Sequence, residues 1–108
     1  MVSVEAIAQP KIAIIMSPTA PDPWPALIDT EVVLDLASPY VMLGKVVSAD
    51  ALHVVLTDAD VHDLRDSKST RELYVLQSRR HGIRKNRERV TVRRDEIVSF
   101  SRLADVVD

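Results

Sequence analysis

From Glu31 onward the chain alternates apolar and polar positions with the period of two that marks half-buried β-strands. EVVLDL (31–36) sets Val32, Leu34 and Leu36 on one face, and the ASP that follows reads as a turn. The next run, YVMLGKVVSAD (40–50), is β-branched and apolar with Gly44 at its centre, where a missing side chain predicts a sharp bend or a close backbone approach. LHVVLTDADV (52–61) alternates again and predicts Leu52, Val54 and Leu56 inward with His53, Val55 and Thr57 outward. These three strands form a meander.

The pattern then changes period. In SKSTRELYVLQSRRHG (67–82), Ser69 and Glu72 have capping-box spacing, and Leu73, Leu76 and Arg80 recur at three and four residues. Gly82 sits where a left-handed residue would end a helix. A helix over 70–81 is the favoured reading; the rival is a strand through ELYVL, whose Tyr and Val suit a sheet. RERVTV (87–92) and EIVSFS (96–101) are two more short strands joined by a tight turn at Arg94-Asp95, and LADVVD closes the chain. Five short strands with a bent second one predict a mainly β fold, a small SH3-like or OB-like barrel with one short helix between the third and fourth strands.

Residues 1–29 do not share the pattern. SPTAPDPWPALID (17–29) holds four of the six prolines and no regular apolar period, so this stretch is expected to be a proline-rich, partly disordered extension, with KIAIIM (11–16) a possible short strand. Trp24 between Pro23 and Pro25 reads either as a lid on the barrel or as a loosely packed aromatic. The barrel proper is expected over 30–104, with a tail at 105–108.

Composition narrows the chemistry. At 108 residues there is room for one domain and one core, and 46% hydrophobic with 28% charged residues is enough apolar material to fold it. The absence of cysteine excludes disulfides, thiolate zinc sites, iron–sulfur clusters and cysteine nucleophiles. The apolar runs fall short of the ~20 residues of a membrane span, and the first residues lack a basic signal-peptide region, so the expected location is the cytoplasm. Only two glycines are available to cradle a phosphate, no nucleophile–base arrangement stands out, and neither an enzyme nor a cofactor is expected.

Charge is distributed unevenly. Residues 1–30 carry one positive and three negative side chains, 31–69 three and seven, 70–108 ten and six. The positive end concentrates in RRHGIRKNRERVTVRR (79–94), with eight Lys or Arg and one Glu. Arg84, Lys85 and Arg87 fall on the loop and strand start, with the reach that phosphate contact requires. The competing reading is a solvated face, or one paired with the acidic DADVHDLRD (58–66) within or between subunits. Asp58, Asp60 and His62, at i, i+2 and i+4 of one strand, are weak candidates for a divalent ion. A polar strand end running into a loop is the plainer reading of the same three residues.

Two stretches resemble the Sm-like (LSm) family. VVLDLASPYVMLGKVVSADALHVVLTDAD is similar to its first signature, with Gly44 at the signature glycine and Asp50 and Leu52 near the acidic-plus-stacking pair of the bacterial Sm-like RNA chaperone. VTVRRDEIVSF resembles the second signature, although Arg94 stands where that signature has glycine and the insertion after the third strand is long. The resemblance covers roughly residues 31–104. It implies an Sm-like barrel that forms homo-oligomeric rings edge to edge through the fourth and fifth strands and binds single-stranded RNA on one face. Arg93 would match the RNA-contacting arginine, with Leu52 and His53 in the loop where the family stacks a base. The plainer alternative leaves Leu52 in the core and His53 exposed. A barrel that serves only protein interaction or assembly is the other functional reading.

Overall fold

The computed structural model describes residues 21–66 and 68–108; the KIAIIM stretch and the prolines before residue 21 lie outside them. Five antiparallel strands, β1 (Glu31–Leu36), β2 (Tyr40–Ala49), β3 (His53–Asp63), β4 (Arg87–Arg93) and β5 (Ile97–Arg102), form one sheet in the order β4-β3-β2-β1-β5. One α-helix is present among the described residues, α1 (Arg71–His81), between β3 and β4. β4 and β5 are at opposite edges of the sheet yet are joined by one 3-10 turn, Arg94–Glu96. So short a link requires the sheet to curl until its edges approach, which makes it an open barrel.

Alternation along β1 serves two cores. Val32, Leu34 and Leu36 enter the barrel with Val46, Val54, Leu56, Ala59 and Val92, as the spacing predicts for β1. Val33, on the opposite face, packs with Val41, Leu43, Val75 of α1 and Leu103. Both faces of β1 are therefore covered, and its sequence is correspondingly almost continuously apolar. Trp24, in a 3-10 turn at Trp24–Leu27, is 3% exposed and stacks near Phe100 with ring centroids 4.4 Å apart, so it docks as the lid of the barrel interior.

Gly44 is the close approach that the sequence indicates. A Cβ there would come within 3.2 Å of Ala59 Cα, Ala59 Cβ and Leu56 Cβ, where β2 folds across β3. Gly44→Val is expected to overpack this crossing and destabilise the fold by about 1–3 kcal/mol. Urea unfolding should show a lower midpoint with an unchanged slope, and an unchanged midpoint would contradict this packing.

Helix α1 is present, and the strand alternative for 70–81 is not. Its cap differs by one residue from the expected Ser69: the Thr70 hydroxyl accepts from the Leu73 N–H at 3.1 Å. Gly82 ends the helix at φ 94°, ψ 159°, a positive-φ region that glycine alone enters at little cost, although it is extended rather than left-handed helical. Its N–H donates to the Ser78 carbonyl at 2.8 Å.

Candidate nucleic-acid interface

The β2–β3 turn is shaped by Asp50. One carboxylate oxygen accepts the N–H groups of Leu52 (2.8 Å) and His53 (2.7 Å), and the Asp50 N–H donates to the His53 carbonyl (2.9 Å). These backbone donors, Leu52 first, hold the Asp50 carboxyl below the usual carboxylate range. β3 thus begins at His53, and Leu52 sits on the turn rather than in the alternation. The inward position expected for Leu52 is wrong; the side chain is 69% exposed, while Val54 and Leu56 are buried as expected.

Pairing of β3 with β4 sets His53 opposite Arg93. The Arg94 N–H donates to the Leu52 carbonyl at 2.8 Å, binding the β4–β5 turn to the β2–β3 turn. Leu52, His53 and Arg93 consequently line one surface hollow of about 200 Å³ together with Arg94 and Asp95. The Arg93 guanidinium makes an ion pair with Asp95 at 2.7 Å, and both side chains are about two-thirds exposed. A pair so open to water is weak and can exchange for a phosphate or a base edge.

The loop cations form a separate group. Arg87 pairs opposite Ala59, six positions along β4 from Arg93, or roughly 20 Å at strand rise. Lys85 is committed to Asp58 (3.1 Å) and Glu88 (3.4 Å), with Asp58 the larger influence keeping it charged. Arg84, Arg87 and Arg89 make no ion pair among the described residues. Arg79 and Arg80 reach Asp108, Arg93 reaches Asp95, and Arg94 reaches Asp22. Much of the basic stretch is therefore spent inside the molecule. Arg87 and Arg93 also share the rim of a cleft of about 430 Å³ with Tyr40, Met42, Val61 and Val92, so Arg93 borders both hollows.

Asp58, Asp60 and His62, the weak candidates for a divalent ion, are not brought together. β3 carries an extra residue between the pairs Lys45–Thr57 and Leu43–Asp60, and Asp58 takes φ 50° there. Such a bulge flips every later side chain to the other face. Ala59 enters the barrel, Asp60 and His62 turn toward α1, and Asp58 pairs with Lys85. No group of three metal-ligating side chains occurs among the described residues.

Asp60, 2% exposed, accepts instead from the Tyr74 hydroxyl and from Asn86 Nδ2 (3.2 Å). The Asn86 amide also exchanges two hydrogen bonds with the Val61 backbone, each 3.0 Å, standing in for a strand partner. His62 stacks on the Tyr74 ring at 3.6 Å. Burial first, then the Asp60 carboxylate, pushes the Tyr74 hydroxyl up to about 12. A folded value above the unfolded one of about 10 means that this stabilisation is complete below pH 10 and lost as pH rises through 12. Wild type should therefore lose stability in melts between pH 10 and 12, and Tyr74→Phe should lower stability at pH 8 and flatten that alkaline fall. An alkaline fall of the same size in both proteins would contradict the assignment.

The sequence did not single out Arg94, Tyr74 or Asn86. The one visible signal was an arginine where the resembling signature has glycine.

No protein-family model matches the chain, and no curated protein matches it. Among solved structures, the chain is similar to the Sm protein of Pyrococcus abyssii in complex with a uridine heptamer, with 20% identity and a TM-score of 0.49. The match covers 71% of this chain and 87% of that one. No helix among the described residues is long and apolar enough to cross a membrane.

Proposed function

We propose that this chain is a non-enzymatic, single-stranded RNA-binding module of the Sm-like type, with the turn pattern of the bacterial branch, that assembles with copies of itself. The carrying observation is the meeting of Leu52, His53 and Arg93 in one hollow, drawn from two turns that are distant in sequence. Leu52 offers an apolar platform to an unstacked base, and Arg93 offers a cation to its edge or phosphate. Because Arg93 also borders the larger cleft, the same strand can run on toward Arg87, while Arg84 lines a separate cleft beside α1. Lys85, held by two carboxylates, adds less than either arginine.

Assembly follows from edge chemistry. β4 and β5 are the two edges of the sheet, and β5 presents Val98 at 71% and Phe100 at 37% exposure, apolar area that a second copy would cover. That observation equally favours a second reading, a barrel used for assembly without RNA. Fluorescence anisotropy with a uridine-rich oligomer separates the two. Leu52→Ala and Arg93→Ala should each weaken binding about 10-fold or more, the range of one lost base stack, while the light-scattering mass stays above the 12.0 kDa of a monomer. An assembling protein that ignores RNA leaves the second reading; a monomer removes the assembly claim from both.

A further inference from the structure

We propose that Arg94 is a positioning residue: it locks the β2–β3 turn in the shape that presents Leu52 and His53, without itself contacting RNA. The inference rests on the RNA reading of that hollow and adds to it the element that sets the hollow's shape.

Two adjacent arginines have opposite fates at this turn. Arg93 is 65% exposed and holds a single, equally exposed carboxylate. Arg94 is 27% exposed, the least of the arginines in ion pairs among the described residues, and its side chain is engaged by Asp22 and by the Asp50 backbone. Its Nη1 donates to the Asp50 carbonyl at 2.8 Å, and Nη1 and Nη2 reach the two Asp22 oxygens at 3.2 and 3.3 Å. Its backbone N–H donates to the Leu52 carbonyl. Asp22 in turn accepts the N–H of Trp24, whose indole is buried in the barrel.

A continuous chain of contacts therefore runs from the core through Trp24, Asp22 and Arg94 to the turn. Arg94 takes the carbonyls of Asp50 and Leu52, while the Asp50 carboxylate takes the N–H groups of Leu52 and His53. Little backbone freedom remains in a turn that would otherwise have to be ordered when RNA binds, and ordering costs affinity. A planar guanidinium can serve a carbonyl on one side and a carboxylate on the other at fixed geometry; the compact ammonium of lysine cannot reproduce that fork.

The test uses the full chain and a uridine hexamer, with anisotropy titrations at several salt concentrations and amide NMR spectra of the free protein. Arg94→Ala should weaken binding ~10-fold, the factor expected for one or two groups left to order on binding. The slope of log affinity against log salt should not change, because no phosphate contact is lost. Arg94→Lys should recover little. Asp22→Asn, which keeps the Asp50 carbonyl contact, should fall between wild type and Arg94→Ala, and gives the answer if Arg94→Ala fails to fold. In both variants the Leu52 and His53 amide signals of the free protein should shift or broaden.

A slope flattened by about 0.7 in Arg94→Ala would make Arg94 a phosphate ligand and overturn the proposal. Unchanged affinity with a lowered melting temperature would reduce Arg94 to a structural brace and overturn it equally. If wild type fails to bind the hexamer, the RNA reading fails, and the spectra still report whether Arg94 orders the turn.

Discussion

Trp24→Ala is expected to cost about 3–5 kcal/mol of folding stability, the range for deleting a buried large aromatic. Trp24 is 3% exposed, packs in the cluster formed by β1, β2, β3 and β4, and stacks near Phe100 of β5, so its removal opens a void where the curled sheet meets its lid. Against the 5–15 kcal/mol of a typical domain, that loss is a third or more of the total. Urea unfolding followed by circular dichroism measures it, with Trp24→Phe as a control that should lose much less. A loss below about 1 kcal/mol would mean that the Trp24–Leu27 turn is an accessory and that the barrel closes without it.

The second large effect concerns binding. Replacing Arg84, Arg87 and Arg93 together by Ala should reduce affinity for single-stranded RNA on the order of 100-fold at ~50 mM salt, and flatten the salt slope by about 0.7 for each lost contact. Stability should change little, because Arg93 is in an open ion pair and the other two make none among the described residues. Replacing Lys85 alone should change binding less, since Asp58 and Glu88 already hold its charge. The comparison separates cations that are unpaired or held by one exposed carboxylate from a lysine held by two, a division invisible in the run RRHGIRKNRERVTVRR.

What the sequence made legible was local. The face formed by Val32, Leu34 and Leu36, the close approach at Gly44, the inward pair Val54 and Leu56, and a helix ending at Gly82 all follow from period, propensity or a missing Cβ. The failures occur where one residue changes the register. Leu52 is taken out of the alternation by the hydrogen bonds to Asp50, and Asp60 and His62 change faces at the Asp58 bulge. No period-of-two reading registers an inserted residue whose only mark is a positive φ. Long-range polar contacts were equally hidden. Arg94 meets Asp22 across 72 positions, and Tyr74 meets Asp60 across an intervening loop, so neither partner marks the other in sequence. The site residues divide in the same way. Leu52, His53 and Arg93 meet because two turns are hydrogen-bonded together, whereas Arg84, Lys85 and Arg87 stand at the far end of β4.

Single-stranded RNA is the ligand proposed for the hollow between the two turns. The most direct test of that assignment is titration of a fluorescent uridine oligomer with wild-type protein at two salt concentrations. The expected result is a dissociation constant below about 100 μM at moderate salt, tightening steeply as salt falls, because released counterions drive phosphate contact. Absence of binding at that concentration in both salts would contradict it and leave the basic stretch as an internally paired, solvated surface.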